Sequence, residues 1–175
     1  EVFNLALEDV ATSAAIALKA DKLIFLMDGP GMLDKRGKLL NEITAQEAEE
    51  ELAKNNKQPE DIRLFVPCAI RACKESVGRC HIIDRNIDGG LLSELFTRAG
   101  IGTMVTRDPL EKLRTATILD VGGIIRLIEP LEVEGILVKR SREQIEVEIN
   151  NFSVLDYDGT IIGCVAFFPF QGEKA

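Results

Sequence analysis

Apolar residues along the chain follow two regimes, helical spacing in some stretches and unbroken runs of strand length in others. From Glu8 to Ala20, the residues Val10, Ala14, Ala17 and Leu18 share one face of a predicted helix. The run Leu23-Ile24-Phe25-Leu26-Met27 predicts a strand covered on both faces, as in a parallel sheet. A turn follows at Asp28-Gly29-Pro30-Gly31. Met32-Leu33 and Lys38-Leu39-Leu40 then flank Asp34 to Gly37 in a small predicted hairpin. Thr44-Ala45-Gln46-Glu47 has capping-box spacing and opens a helix to about Lys54. After a polar loop from Asn55 to Pro59, a helix is predicted from Asp61 to about Glu75, with Pro67 kinking it or starting a fresh turn. Cys80 to Asp84 reads as a buried strand, Gly89 to Phe96 as a helix and Thr103-Met104-Val105 as a strand. Strands alternating with helices in this order predict an α/β fold with parallel strands.

Beyond a seam at Thr106-Arg107-Asp108-Pro109 the pattern changes. Thr115-Ala116-Thr117 predicts a short strand. Asp120 is placed to cap a helix that carries Ile124, Ile125, Leu127 and Ile128 and ends at Pro130. Ser141-Arg142-Glu143-Gln144 is a second capping box, and the helix behind it buries Ile145, Ile149 and Phe152. Ser153 to Asp156 and Thr160 to Phe167 read as strands joined through Tyr157-Asp158-Gly159, a strong hairpin signal. Three strands and two helices are not expected to close a core of their own.

Charge narrows the function classes. The net charge is −8, from 21 basic and 29 acidic residues, and there is no basic stripe. Nucleic acid and anionic membranes are therefore poor partners. No apolar run approaches the roughly 20 residues that span a bilayer. Glu1-Val2-Phe3-Asn4 does not resemble a signal peptide. The missing initiator Met is consistent with a start inside a larger protein, and a cytoplasmic location is expected. Cys68, Cys73, Cys80 and Cys164 follow no CxxC spacing and read as small buried hydrophobes in a reducing compartment. No metal site is expected, a Cys73, Cys80 and His81 set fitting poorly.

Three loops could carry chemistry, each with a plainer reading beside it. In Glu94-Leu95-Phe96-Thr97-Arg98-Ala99-Gly100-Ile101-Gly102-Thr103, a carboxylate lies near the free carbonyls of a helix end, which together could receive a guanidinium. Gly100 and Gly102 suit a positive φ and close backbone approach. The plainer reading is a helix C-cap and turn. Asp28 to Gly31 could approach a nucleotide or be only a turn, since it matches no phosphate-loop fingerprint. Lys139-Arg140-Ser141-Arg142, at the start of a helix, could hold a carboxylate or be a solvated basic patch. His81, the single histidine, reads as packed and hydrogen-bonded, with no activated nucleophile nearby.

These residues carry a resemblance. Ala20 to Asp34 is similar to the nucleotide-side strand and loop of the amino-acid kinase fold, closest to acetylglutamate kinase. Glu94 to Thr103 resembles the C-terminal loop of its arginine-sensitive members. The stretch from Arg114 onward is similar to the start of a GNAT acetyltransferase domain. Glu134 to Glu143 looks like bacterial N-acetylglutamate synthase, the family that joins the two. The resemblance implies α/β architecture: the C-terminal part of an amino-acid kinase-like, arginine-sensing domain over residues 1–110, then the N-terminal part of a GNAT α+β domain over 111–175. It implies acetyl transfer from acetyl-CoA to the α-amino group of L-glutamate, the first step of arginine synthesis, with L-arginine as feedback inhibitor. Lys22, Glu94 and Gly100 match arginine-site positions, and Val138 and Arg140 match glutamate-site positions. A homo-oligomer, a hexamer in the family, is also implied.

Two departures qualify the resemblance. Phe65, in Ile62-Arg63-Leu64-Phe65, stands where the kinases have a catalytic lysine, and Ala6-Leu7-Glu8 replaces the Asn-Ala-Asp of their substrate loop. Acetylglutamate kinase activity is therefore disfavoured. The GNAT pyrophosphate loop and catalytic glutamate are expected beyond Ala175, so no catalytic residue is assigned within the chain. Gly172-Glu173 falls about two residues early on the local match. The fragment alone is expected to be inactive. A non-catalytic arginine-binding regulatory module is the alternative from another class.

Overall fold

The computed structural model describes residues 5–55, 58–97 and 100–168. They form two compact units divided between Pro109 and Leu110.

The first unit contains helix α1 (Leu7–Leu18), strands β1 (Lys22–Met27) and β2 (Glu42–Thr44), helices α2 (Ala45–Lys54) and α3 (Glu60–Glu75), strand β3 (Arg79–Asp84), helix α4 (Gly90–Phe96) and strand β4 (Thr103–Thr106). Its sheet has the order β1-β3-β4-β2. β1 runs parallel to β3, with Ile24 beside His81, and β2 runs parallel to β4. β3 and β4 are antiparallel, with Ile82 opposite Thr103, which corrects the expectation of parallel strands throughout. The cause lies in α4. Its seven residues advance the chain only about 10 Å, whereas β3 is about 20 Å long, so the chain turns back where β3 ends.

The main core is Phe25, Ile62, Val66, Cys73, Cys80, Ile82 and Val105, where α3 lies on one face of the sheet. β3 is buried along its length, as its apolar run requires. β1 is not covered on both faces: it lies at the end of the strand order, and Leu26 is 52% exposed. α1 also turns differently from expectation. Thr12 and Ala15 are buried against α3, while Val10, Ala14, Ala17 and Leu18 face outward. Close approach of two helices favours small side chains, and the Thr12 hydroxyl is satisfied by donating to the Glu8 carbonyl at 2.6 Å. α3 continues through Pro67, which sits on the exposed face, so the carbonyl freed by the missing N–H can be solvated. The Thr44–Glu47 capping box and the Leu33–Leu39 bridge form as predicted.

The second unit contains strand β5 (Glu111–Thr115), helices α5 (Val121–Val133) and α6 (Arg142–Val147), and strands β6 (Phe152–Tyr157) and β7 (Thr160–Ala166), in an antiparallel sheet of order β5-β6-β7. β5 lies earlier than the predicted Thr115–Thr117. α5 runs three residues past Pro130. A core does close here, from Ala116, Val121, Ile124, Ile145, Ile149, Phe152 and Val154. Ser141 and Gln144 form the predicted capping box. Asp158 and Gly159, at φ 49° and 77°, make the predicted tight hairpin.

Asp120 does not cap α5. Its carboxylate instead accepts from the Arg114 guanidinium at 2.7 and 2.8 Å and from the amide and hydroxyl of Thr117 at 2.7 and 2.8 Å. Arg114 also donates to Asp156 at 2.8 Å, tying β5, β6 and the turn before α5 together.

Candidate functional site

In the first unit the loop before β4 is organised around Glu94, whose side chain is 3% exposed. Oε1 lies 2.8 Å from His81 Nδ1, and Oε2 accepts from the amides of Ile101 at 2.6 Å and Gly102 at 3.0 Å. Burial opposes ionisation of this carboxyl. Hydrogen bonds from His81, Gly102 and Ile101 outweigh it and bring the pKa down to about 2. An ionised carboxylate only accepts, so His81 carries its proton on Nδ1. Nε2 is buried without a partner among the described residues.

Two glycines make this packing possible. Gly100 has φ +54°, and a Cβ there would stand 2.9 Å from Glu94 Oε2. A Cβ on Gly102 would run into the Ile82 carbonyl, so the loop lies directly against β3.

The structure thus brings Glu94 and Gly100 together. Lys22 opens β1, is exposed, and stands beside Arg79, which strand alternation places on the same sheet face as His81. One difference from expectation matters: Glu94 is not a free carboxylate at a helix end, because both its oxygens already accept from the protein's own groups. His81 is the packed histidine expected, but its partner was not foreseen. Arg98 and Ala99 lie outside the described residues.

The Asp28 loop is tied to the residues that follow β3 and to β4. Asp28 accepts from Arg85 Nε at 2.8 Å and Nη2 at 2.6 Å, and from Asn86 at 3.0 Å. Thr103 Oγ1 accepts from the Met32 amide at 2.9 Å. The turn reading accounts for these contacts. Cys68, Cys73 and Cys80 are buried free thiols, the Cys73 pKa pushed up to about 11 by burial. Among the described residues no three His, Cys, Asp or Glu side chains are grouped to hold a metal ion. No described helix is long and apolar enough to cross a membrane.

The second unit holds a separate candidate. After α5 the chain folds back, the amides of Ile136 and Leu137 both donating to the Leu131 carbonyl at 2.9 and 3.2 Å. The Arg140 amide donates to Glu132 Oε1 at 3.0 Å. The Arg140 guanidinium carbon lies 5.1 Å from the Phe168 ring centre and 5.8 Å from that of Phe152. These rings meet edge-on at 87°. Beside them is a cavity of about 390 Å³ lined by Ile128, Glu132, Val138, Arg140, Phe152 and Cys164 among others.

Among the described residues no carboxylate pairs with the Arg140 guanidinium. A cation that no described carboxylate pairs with, near two aromatic rings and beside a mostly apolar cavity, is suited to a carboxylate-bearing ligand. The basic set predicted at 139–142 is therefore divided. Arg142 pairs with Glu146 at 2.7 Å along α6, and the Ser141 hydroxyl takes the Gln144 amide. Arg140 and the mostly exposed Val138 remain at the cavity. Sequence reasoning missed Glu132 and Phe168. The Gly172-Glu173 pair lies outside the described residues.

The chain is similar to known proteins along its length. Residues 2–84 match the model of the amino acid kinase family. Curated relatives called amino-acid acetyltransferase are 45% identical in Shewanella oneidensis, over 100% of this chain and 40% of that protein. In Ectopseudomonas mendocina the identity is 51%, over 97% of this chain and 39% of that protein. The chain thus spans about 40% of the length of these relatives. Among solved structures, N-acetylglutamate synthase from Neisseria gonorrhoeae, complexed with coenzyme A and L-arginine, is 36% identical and superposes with a TM-score of 0.86 over 97% of this chain and 38% of that one. The same protein complexed with coenzyme A and N-acetyl-glutamate gives a TM-score of 0.58 at 37% identity, over 98% of this chain and 40% of that one. Along its whole length the chain is similar to the amino-acid acetyltransferases, and within it residues 2–84 match the amino acid kinase family.

Proposed function

We propose that this chain is part of an enzyme that transfers the acetyl group of acetyl-CoA to the α-amino group of L-glutamate, opening arginine synthesis, and that L-arginine regulates it through the first unit. The observation that carries the reading is the Arg140 guanidinium, lying near the rings of Phe152 and Phe168 beside a cavity and unpaired by any described carboxylate. Arg140 anchors a glutamate carboxylate by charge-assisted hydrogen bonds, and Val138 lines the same site. The amine, once deprotonated, attacks the thioester carbonyl; the C–N bond forms, the C–S bond breaks and the leaving thiolate takes a proton. The base, the acid and the pyrophosphate contacts of acetyl-CoA are not assigned to residues of this chain.

Residues 1–110 are read as the arginine-sensing part and 111–175 as the opening of the GNAT domain. Gly100 and the loop held by Glu94 form one wall of the arginine site, and Lys22 on β1 takes the ligand carboxylate. The enzyme is read as a cytoplasmic homo-oligomer, hexameric by family resemblance, that needs no metal. Phe65, packed on Phe25 with ring centres 5.1 Å apart, leaves no lysine for phosphoryl transfer at that position. In the full-length enzyme, Arg140→Ala should raise the KM for glutamate at least tenfold while leaving that for acetyl-CoA nearly unchanged. An equal rise in both would overturn the anchoring role. Product phosphorylated from ATP and acetylglutamate would overturn the exclusion of kinase activity.

A further inference from the structure

We propose that Glu132 is a positioning residue of the amino-acid site, acting through Arg140. The inference rests on the reading of Arg140 as a carboxylate anchor. Among the described residues, the chain that leaves α5 has no strand partner between Gly135 and Arg140. It is held at its start by the Leu131 carbonyl, which accepts from both Ile136 and Leu137. It is held at its end by the Glu132 carboxylate, which accepts from the Arg140 amide at 3.0 Å. Two consecutive residues in the last turns of α5 therefore set both ends of the segment that carries Val138 and Arg140.

The two rings beside Arg140 limit where its guanidinium can sit, but a cation–π contact tolerates sliding over the ring face. The backbone of Arg140 has to be fixed independently if the guanidinium is to meet a carboxylate in a defined geometry. Glu132 does this from the cavity wall, since it lines the same space as Val138 and Arg140. The bond needs an acceptor oxygen on the residue-132 side chain. It does not need a negative charge, and a glutamine carbonyl can replace it.

The test uses the full-length enzyme and three variants. Arg140→Ala tests the parent reading by its effect on the glutamate KM. Glu132→Ala should raise the glutamate KM roughly tenfold, the loss expected for one hydrogen bond, with kcat and the acetyl-CoA KM changed less than about twofold. Glu132→Gln should restore the glutamate KM to near its original value. A glutamate KM unmoved by Glu132→Ala, when Arg140→Ala does move it, overturns the positioning role and leaves the anchor intact. Failure of Glu132→Gln to rescue also overturns it, because the charge and not the acceptor would then matter. No effect of Arg140→Ala overturns the parent reading itself. Parallel losses in kcat and both KM values for Glu132→Ala would mark a merely structural residue.

Discussion

His81 Nδ1 and Glu94 Oε1 meet at 2.8 Å with side chains 5% and 3% exposed, so an ionised carboxylate is held in the interior by a ring N–H and two loop amides. The folded-state pKa of Glu94, about 2, lies below its usual 4.5. A depressed acid contributes stability that is present above its unfolded pKa and lost as pH falls through the folded one. Glu94→Gln should therefore cost on the order of 3 kcal/mol at neutral pH. The difference from the parent protein should shrink as pH falls from about 4.5 toward 2. Urea midpoints of both proteins across that range check this, and a difference independent of pH would contradict it.

On the proposed function, arginine regulation should depend on the same pair. Glu94→Ala removes the acceptor that gathers the Ile101 and Gly102 amides, so the Gly100 carbonyl loses its place. Arginine inhibition of the full-length enzyme should then weaken by tenfold or more, a loss equivalent to about 1.4 kcal/mol. Inhibition curves measure it, and an unchanged midpoint would remove Glu94 from the regulatory site.

Gly102→Ala would drive a methyl group into the Ile82 carbonyl, which is backbone and cannot swing aside. A loss of about 2–4 kcal/mol is expected. Gly159→Ala serves as a contrast. It meets no atom within 4 Å, so only its positive φ, +77°, should cost stability, about 1 kcal/mol. Denaturant titration of the two variants separates steric overlap from backbone strain.

Asp120→Asn should destabilise the second unit by about 2 kcal/mol, since it weakens the acceptor shared by Arg114 and Thr117. Hydrogen bonds from Arg114 hold the Asp120 carboxyl well below the usual carboxylate range. Its contribution is therefore present above the unfolded pKa and fades only in strong acid. Amide exchange in β5 and β6 reads the effect, because Asp156 takes the other side of Arg114.

What was legible in the sequence is what is decided locally. The Thr44–Glu47 and Ser141–Gln144 boxes and the Asp158-Gly159 turn are settled within four residues and formed as read. Ile145, Ile149 and Phe152 are all buried as predicted, although a short 3-10 turn intervenes and Phe152 already opens β6. β2 was not legible, because Glu42–Thr44 carries no strand pattern and is defined only by pairing with β4. The buried face of α1 was misread because small residues against α3 outweighed the larger apolar ones. For the candidate sites, Arg140 and Glu94 stood out as charges at helix ends. Glu132 and His81 did not, since each acquires its role from a partner eight or thirteen residues away.

The pairing of β2 with β4 has a consequence for the order in which the protein is made. Glu42 can find Met104 only after some sixty further residues have emerged, and at about 5–20 residues per second this takes roughly 3 to 12 s. Until then β2 is an unpaired strand behind an already capped α2. The β6–β7 hairpin faces no such delay, because Tyr157 and Thr160 are neighbours as soon as they are synthesised.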